Sequence, residues 1–186
     1  VLFRSFYAMP PSTGNIVNPE STCVSFAESN SIPYRHAVPL LNTASNPILL
    51  FHVKYMFSSN APIRAGLTGI DIGNWQNAVL DTYSSFLTTT LQDAGVLPTS
   101  SFFWSGGYNN PSSFNCLNFA SASSGVNGIV GNSFDADSAW LANAFPTCDT
   151  PNPWICMFVQ GTATPTKAPT LPPTIPPTTN TPTKAP

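Results

Sequence analysis

Phe102-Phe103-Trp104-Ser105-Gly106-Gly107 opens the stretch that decides the fold. It continues through Phe114-Asn115-Cys116-Leu117-Asn118-Phe119, three glycines between Gly125 and Gly131, Trp140, Cys148 and Trp154-Ile155-Cys156-Met157-Phe158. Glycine and asparagine favour turns, so this half reads as loops with little regular structure, pinned by aromatic side chains and cysteines. Short strands are expected to flank the loops, at Phe102–Trp104 and Trp154–Val159.

The first half carries the periodic segments. Val1-Leu2-Phe3-Arg4-Ser5-Phe6 is apolar enough for a strand, which Pro10-Pro11-Ser12-Thr13-Gly14-Asn15 should end. A helix is expected next: Asn18-Pro19-Glu20-Ser21 offers cap chemistry with proline near the first turn, and Cys23, Phe26 and Ala27 share one face. From Leu49 the odd positions Leu49, Phe51, Val53, Tyr55 and Phe57 are apolar around His52 and Lys54, the period of a strand, although Leu50 and Met56 blur it. Trp75, Val79, Tyr83, Leu87 and Leu91 step by four, which predicts one amphipathic helix or two short ones. Thr88-Thr89-Thr90 weakens its last turns, and Gly95 is a natural terminator. Helices and strands in this order make an α+β domain.

Cys23, Cys116, Cys148 and Cys156 match no zinc-binding spacing. An even cysteine number in a chain rich in Ser and Thr favours two disulfides and an oxidising, extracellular setting. The sequence from Phe102 onward, with its Trp-Ser-Gly segment, Asn-Cys pair, glycine-rich loop, lone Trp and closing aromatic-x-Cys strand, resembles the C-type-lectin-like superfamily. Its nearest look is to the endostatin-like branch, which includes secreted microbial domains, and it covers about Val1 to Gln160. The resemblance implies two helices, small antiparallel sheets and long disulfide-pinned loops. It also implies nested pairing, Cys23 with Cys156 and Cys116 with Cys148. Bridges so placed would remove about 5 and about 3–4 kcal/mol of unfolded-state entropy, respectively.

The functional motifs of that superfamily are missing. Calcium-dependent sugar binding there uses Glu-Pro-Asn or Gln-Pro-Asp followed by Trp-Asn-Asp, and neither occurs. Asp135 and Asp137, with Asn132 and Asn143 nearby, read as a turn or cap, since two carboxylates are few for Ca²⁺. His36 and His52 are the sole histidines, too few for a zinc site of the endostatin kind. Ser105 lacks the Gly-x-Ser-x-Gly context of a hydrolase and has no histidine near it in sequence. No phosphate-binding glycine loop is present. Trp75, Trp104, Trp140 and Trp154 sit in apolar contexts that favour the core over sugar stacking. The expectation is therefore a chain that is not an enzyme and holds no metal or other cofactor.

Charge narrows the partners. Charged residues are 8% of the chain, six basic against eight acidic, which leaves no basic patch for nucleic acid. The longest apolar stretch, Pro47 to Phe57, is interrupted by His52 and Lys54 and is far too short to span a membrane. Val1-Leu2-Phe3-Arg4 lacks the features of a signal peptide, and Val1 reads as a processed or otherwise trimmed N-terminus.

Residues 1–161 thus read as a head, and 162–186 as something different. From Ala163 the chain runs in fours, ATPT, KAPT, LPPT, IPPT, and after a slipped residue at Thr179, NTPT and KAP. Proline fixes φ near polyproline II and removes amide donors, and Leu171 and Ile175 are the only large apolar side chains, so no core can form. At ~3.1 Å per residue, Ala163–Pro186 would extend roughly 74 Å, longer than the head is wide.

The segment resembles hydroxyproline-rich and mucin-like stalks. That resemblance implies O-glycosylation at Thr164, Thr166, Thr170, Thr174, Thr178, Thr179, Thr181 and Thr183, or on hydroxylated Pro169, Pro173 and Pro177. No Asn-x-Ser/Thr acceptor exists, because Asn110-Pro111-Ser112 is excluded by its proline. The plain alternative for the segment is an unmodified linker to another domain. Set beside a head without catalytic, metal or nucleic-acid signatures, the segment becomes the stronger functional candidate. The leading expectation is a secreted structural subunit whose tail, through Leu171 and Ile175, packs on copies of itself to build a filament. The other is a lectin-like adhesin on a stalk, with Ser105–Ser133 as its recognition face.

Overall fold

The computed structural model describes residues 4–81, 86–97, 99, 102–107 and 114–160. A five-stranded sheet, ordered β2-β7-β1-β3-β4, is built from β1 (Arg4–Ser12), β2 (His36–Pro39), β3 (Pro62–Ala65), β4 (Asp71–Asn74) and β7 (Asn152–Val159). β5 (Phe102–Trp104) and β6 (Val130–Asn132) form a two-stranded sheet beside it. The content is α+β with few helices and small sheets. The antiparallel expectation needs one correction: β1 pairs parallel with β3, Arg4 opposite Ile63, so the larger sheet is mixed.

β7 organises the packing. All eight of its residues are buried, and it pairs antiparallel with β1 on one side and β2 on the other. Successive side chains of a strand point to opposite faces. Ile155, Met157 and Val159 therefore enter one apolar cluster with Phe6, Val38, Leu40, Ile63, Phe51, Trp75 and Trp140. Trp154, Cys156 and Phe158 enter a second, with Met9, Cys23, Ala27, Leu41 and Trp104. The sheet thus has two dry faces, one covered by helix α1 (Pro19–Ser29), the other by the chain between Ile48 and Leu97.

β1 ends at Ser12, inside the Pro10–Asn15 stretch expected to end it, although the two prolines themselves lie within the strand. Pro10 and Pro11 fall where the register to β7 shifts, between Met9 and Ser12, and pairing resumes at Ser12 opposite Asn152. A bulge tolerates residues that cannot donate to the ladder. α1 starts where the sequence placed it, and Cys23 and Ala27 are fully buried. Its cap is different from the expected one. Asn18 has φ 48° and makes no side-chain cap; its carbonyl instead accepts from the Thr22 amide at 3.1 Å and the Ser21 hydroxyl at 2.9 Å.

Two expectations are overturned. Leu49–Phe57 is not a strand: a 3-10 turn (Ile48–Leu50) runs into a short helix α2 (Phe51–Lys54). Ile48 and Phe51 are buried while Leu50, Val53 and Met56 are exposed, so the operative period is three and not two. The Asn42 side-chain oxygen accepts from the Ile48 amide at 3.0 Å and starts the turn. Trp75–Ala94 is not one helix either. A single π-helical turn (Gln76–Leu80) closes with the Asp81 amide on the Gln76 carbonyl, 2.9 Å. Trp75, Val79, Leu87 and Leu91 are all buried, but only Trp75 and Val79 belong to this turn; Tyr83 lies outside the described residues. Thr90 turns its hydroxyl to the Asp93 amide, 3.0 Å, a local bond that competes with helix.

Arg4 is buried without having been singled out by the sequence. Its guanidinium donates to the Ser58 carbonyl at 2.9 Å and lies 4.5 Å from the Phe57 ring centroid. Burial pulls its pKa down to about 10.

The small sheet leaves no room at Gly131, which pairs with Phe103. A β-carbon there would collide with the Trp140 carbonyl and approach Phe103 Cζ to 2.7 Å. Gly131→Ala should therefore lose about 1–3 kcal/mol in denaturant unfolding. Unchanged stability would mean that this junction is looser than described.

Candidate functional site

Ser105, Asp135 and Asp137 each make internal hydrogen bonds. Ser105 is fully buried, and its hydroxyl donates to the Leu141 carbonyl at 2.6 Å while the Gly107 amide approaches it at 3.2 Å. Asp135 accepts from the side-chain amides of Asn132, 2.8 Å, and Asn143, 3.2 Å. Asp137 caps the 3-10 turn Ser138–Trp140 through the Ala139 amide, 2.8 Å. Both aspartates therefore serve turns. Among the described residues no cluster of three or more His, Cys, Asp or Glu is placed to hold a metal ion.

The tryptophans lie in the core, as their contexts indicated. Trp75, Trp104, Trp140 and Trp154 are all buried. Trp104 Nε1 donates to the Ser12 carbonyl, 2.8 Å, and Trp140 Nε1 to the Ala78 carbonyl, 3.0 Å. None of the four offers a free face to a sugar.

His52 lies on α2 and not on a strand, its Nδ1 3.1 Å from the Leu49 carbonyl. His36 sits on edge strand β2 with its ring 5.4 Å from that of Tyr55, and its buried Nε2 has no partner. Burial, and then the charge of Arg35, hold the His36 pKa below its ordinary value. The tail positions Thr164 to Thr183, with Leu171 and Ile175, lie outside the described residues, as does the Asn110–Ser112 tripeptide.

Both cysteine pairs are bridged, Cys23 to Cys156 and Cys116 to Cys148, the nested arrangement that the family resemblance implies. The outer bridge ties α1 to β7 across the second core cluster. The inner bridge anchors an unusual backbone. Cys116, Leu117, Asn118 and Phe119 all have φ between 53° and 60°, a left-handed turn of four residues that are not glycine. Each such residue costs roughly 1–2 kcal/mol, so surrounding contacts must hold the turn. Asn115 brackets it: its side-chain oxygen accepts from the Asn118 amide, 2.9 Å, and its carbonyl from the Phe119 amide, 2.7 Å. The Phe119 carbonyl accepts from the Ile16 amide, 2.9 Å. The bridge completes the hold, with Gly128 packed against Cys116 Sγ and Trp104 where a β-carbon would not fit.

The left-handed turn buries Phe119 and pushes Leu117 outward, 61% exposed. It forms one wall of a surface groove of about 560 Å³. The first turn of α1 and the 43–46 loop form the other walls, and Pro39 and Leu41 line it between them. The Ala44 amide donates to Asn118 Oδ1 at 3.0 Å and ties loop to turn. This groove was not legible in the sequence. Asn115 and Asn118 tolerate left-handed backbone, but Cys, Leu and Phe give no such signal.

No protein-family model matches this chain, and no curated protein matches it in sequence.

Removing the inner bridge by Cys116→Ser with Cys148→Ser should cost about 3–4 kcal/mol, as expected for a loop of this length. Hydrogen exchange at the Ala44 and Ala120 amides, both bonded to the turn, should accelerate while β7 stays protected. Unaltered exchange at those amides would show that the turn stands without the bridge.

Proposed function

We propose that this chain is a structural subunit of an extracellular filament or fibrous assembly, in which residues 1–161 are the head and 162–186 an extended tail that contacts neighbouring copies. The observation that carries the reading is apolar surface on a head of low charge. Leu50, Val53 and Met56, in and beside α2, are exposed, and Phe114 and Phe145 form an exposed pair with ring centroids 5.6 Å apart. Exposed large apolar side chains are the kind of surface that a contact between copies would cover. A tail that meets a different surface on the next copy makes a heterologous contact, which propagates unless the rotation closes.

Two disulfides, with no described helix long and apolar enough to cross a membrane, are compatible with secretion. The nested bridges and the helix bearing Cys23 support a C-type-lectin-like head. Threonine and proline of the tetrapeptide repeat are the proposed glycan carriers. The second reading, a carbohydrate-binding adhesin on a stalk, draws on the groove, because its left-handed turn lies within the Ser105–Ser133 loops.

Negative-stain microscopy of native protein decides between these readings. Assembly predicts filaments, with a heterogeneous mass excess over 19.8 kDa localised to 162–186. Monodisperse particles at high concentration that bind a glycan array would overturn it in favour of the adhesin.

A further inference from the structure

The lining of the groove mixes carboxamide donors with hydroxyl and carboxylate acceptors, and so selects no single ligand. What sets the groove apart is how one of its walls is held. Asn118 and Phe119 line it from the left-handed turn. Asn118 tolerates left-handed backbone, whereas Cys116, Leu117 and Phe119, with φ of 53°, 54° and 59°, are held where their β-carbons disfavour it.

The two disulfides differ in what they hold. Cys23 lies inside α1 and Cys156 inside β7, and no residue of either element has a positive φ. Cys116 is itself the first residue of the left-handed turn. Its partner Cys148 sits in the loop before β7, where its amide donates to the Val126 carbonyl, 2.8 Å, and its carbonyl accepts from the Gly14 amide, 2.7 Å. Backbone strain that exists only while a bridge is closed is released when the bridge opens, and that release favours the dithiol form. The inner bridge carries such strain and the outer one does not.

Access follows the same division. All four sulfurs are buried, but the turn that carries Cys116 is at the surface, with Leu117, Asn118 and Ala120 exposed. A local opening there reaches the inner bridge without disturbing β7. The outer bridge lies within the second core cluster, between α1 and the sheet, and reaching it means lifting the helix.

We propose that Cys116–Cys148 is a redox-sensitive latch on the groove, opened by a dithiol reductant. One thiolate of the reductant attacks a bridge sulfur and releases the other cysteine; its second thiolate then attacks the reductant's own sulfur in the mixed disulfide. Two electrons and two protons pass to Cys116 and Cys148, and the reductant closes to a cyclic disulfide. The turn then leaves the left-handed region, the bond from the Ala44 amide to Asn118 Oδ1 is lost, and the wall formed by Asn118 and Phe119 goes with it. Cys23–Cys156 and the β7 frame stay closed. The latch is independent of assembly and operates whatever the groove receives.

The test equilibrates the full chain in dithiothreitol redox buffers of graded ratio. Alkylation with peptide mass spectrometry scores each cysteine, and hydrogen exchange follows the Ala44 and β7 amides in the same samples. Cys116 and Cys148 are expected to open at a ratio of reduced to oxidised reagent roughly tenfold below that for Cys23 and Cys156, with faster exchange at Ala44 and protection kept in β7. Opening of Cys23–Cys156 first, or of both bridges together, would overturn the latch, as would an open inner bridge with Ala44 exchange unchanged.

Leu117→Gly separates strain from access. Leu117 is exposed, so glycine removes no core contact, and glycine adopts a φ near 54° without the penalty. The inner bridge of this variant should need roughly threefold more reductant to open. A bridge that opens only because it can be reached would open at the same ratio or a lower one, and either result would overturn the latch.

Discussion

The structure depends on one strand being buried on both faces. β7 can be apolar at every position because each of its faces meets a separate layer, and a strand with two dry faces must also have both edges paired. β1 and β2 meet that requirement. The side chains of β7 then dictate what the layers contain: Ile155, Met157 and Val159 require the cover that the 48–97 chain supplies, and Trp154, Cys156 and Phe158 require α1. Cys156 makes the second requirement covalent by bonding Cys23 of the helix.

The loop-rich half hangs from this frame with little ladder of its own. β5 repeats the device on a smaller scale, Phe103 joining one cluster and its neighbour Trp104 the other. Indole groups then donate to distant carbonyls, Trp104 to Ser12 and Trp140 to Ala78. Such bonds leave few buried donors unpaired where regular structure is sparse. The inner disulfide works in the same setting, holding a backbone that its side chains disfavour and thereby shaping the groove beside α1.

Legibility in the sequence followed the range of the interaction. α1 and the closing strand were readable because local pattern and tertiary burial agree: Cys23 and Ala27 lie one turn apart, and Trp154–Val159 is continuously apolar. The 49–57 segment misled because its odd positions alternate by chance, whereas burial follows Ile48 and Phe51, three residues apart. Trp75, Val79, Leu87 and Leu91 all reach the core, yet spacing by four does not reveal that the chain leaves the helix at Asp81. The left-handed turn is further from reach, since Cys116, Leu117 and Phe119 adopt it only because Asn115, Cys148 and Gly128 surround them. The groove joins three segments far apart in sequence, and no local signal marks it.

As proposed, labour is divided within one chain between a bridged head that folds around β7 and a Pro/Thr segment that would join copies. The consequence is that the two should be separable. The most direct measurement compares the full chain with one truncated after Gly161, by near-ultraviolet circular dichroism and by sedimentation under assembly conditions. The account predicts the same aromatic spectrum for both and sedimenting polymer for the full chain alone. A truncated chain that still polymerises would contradict it.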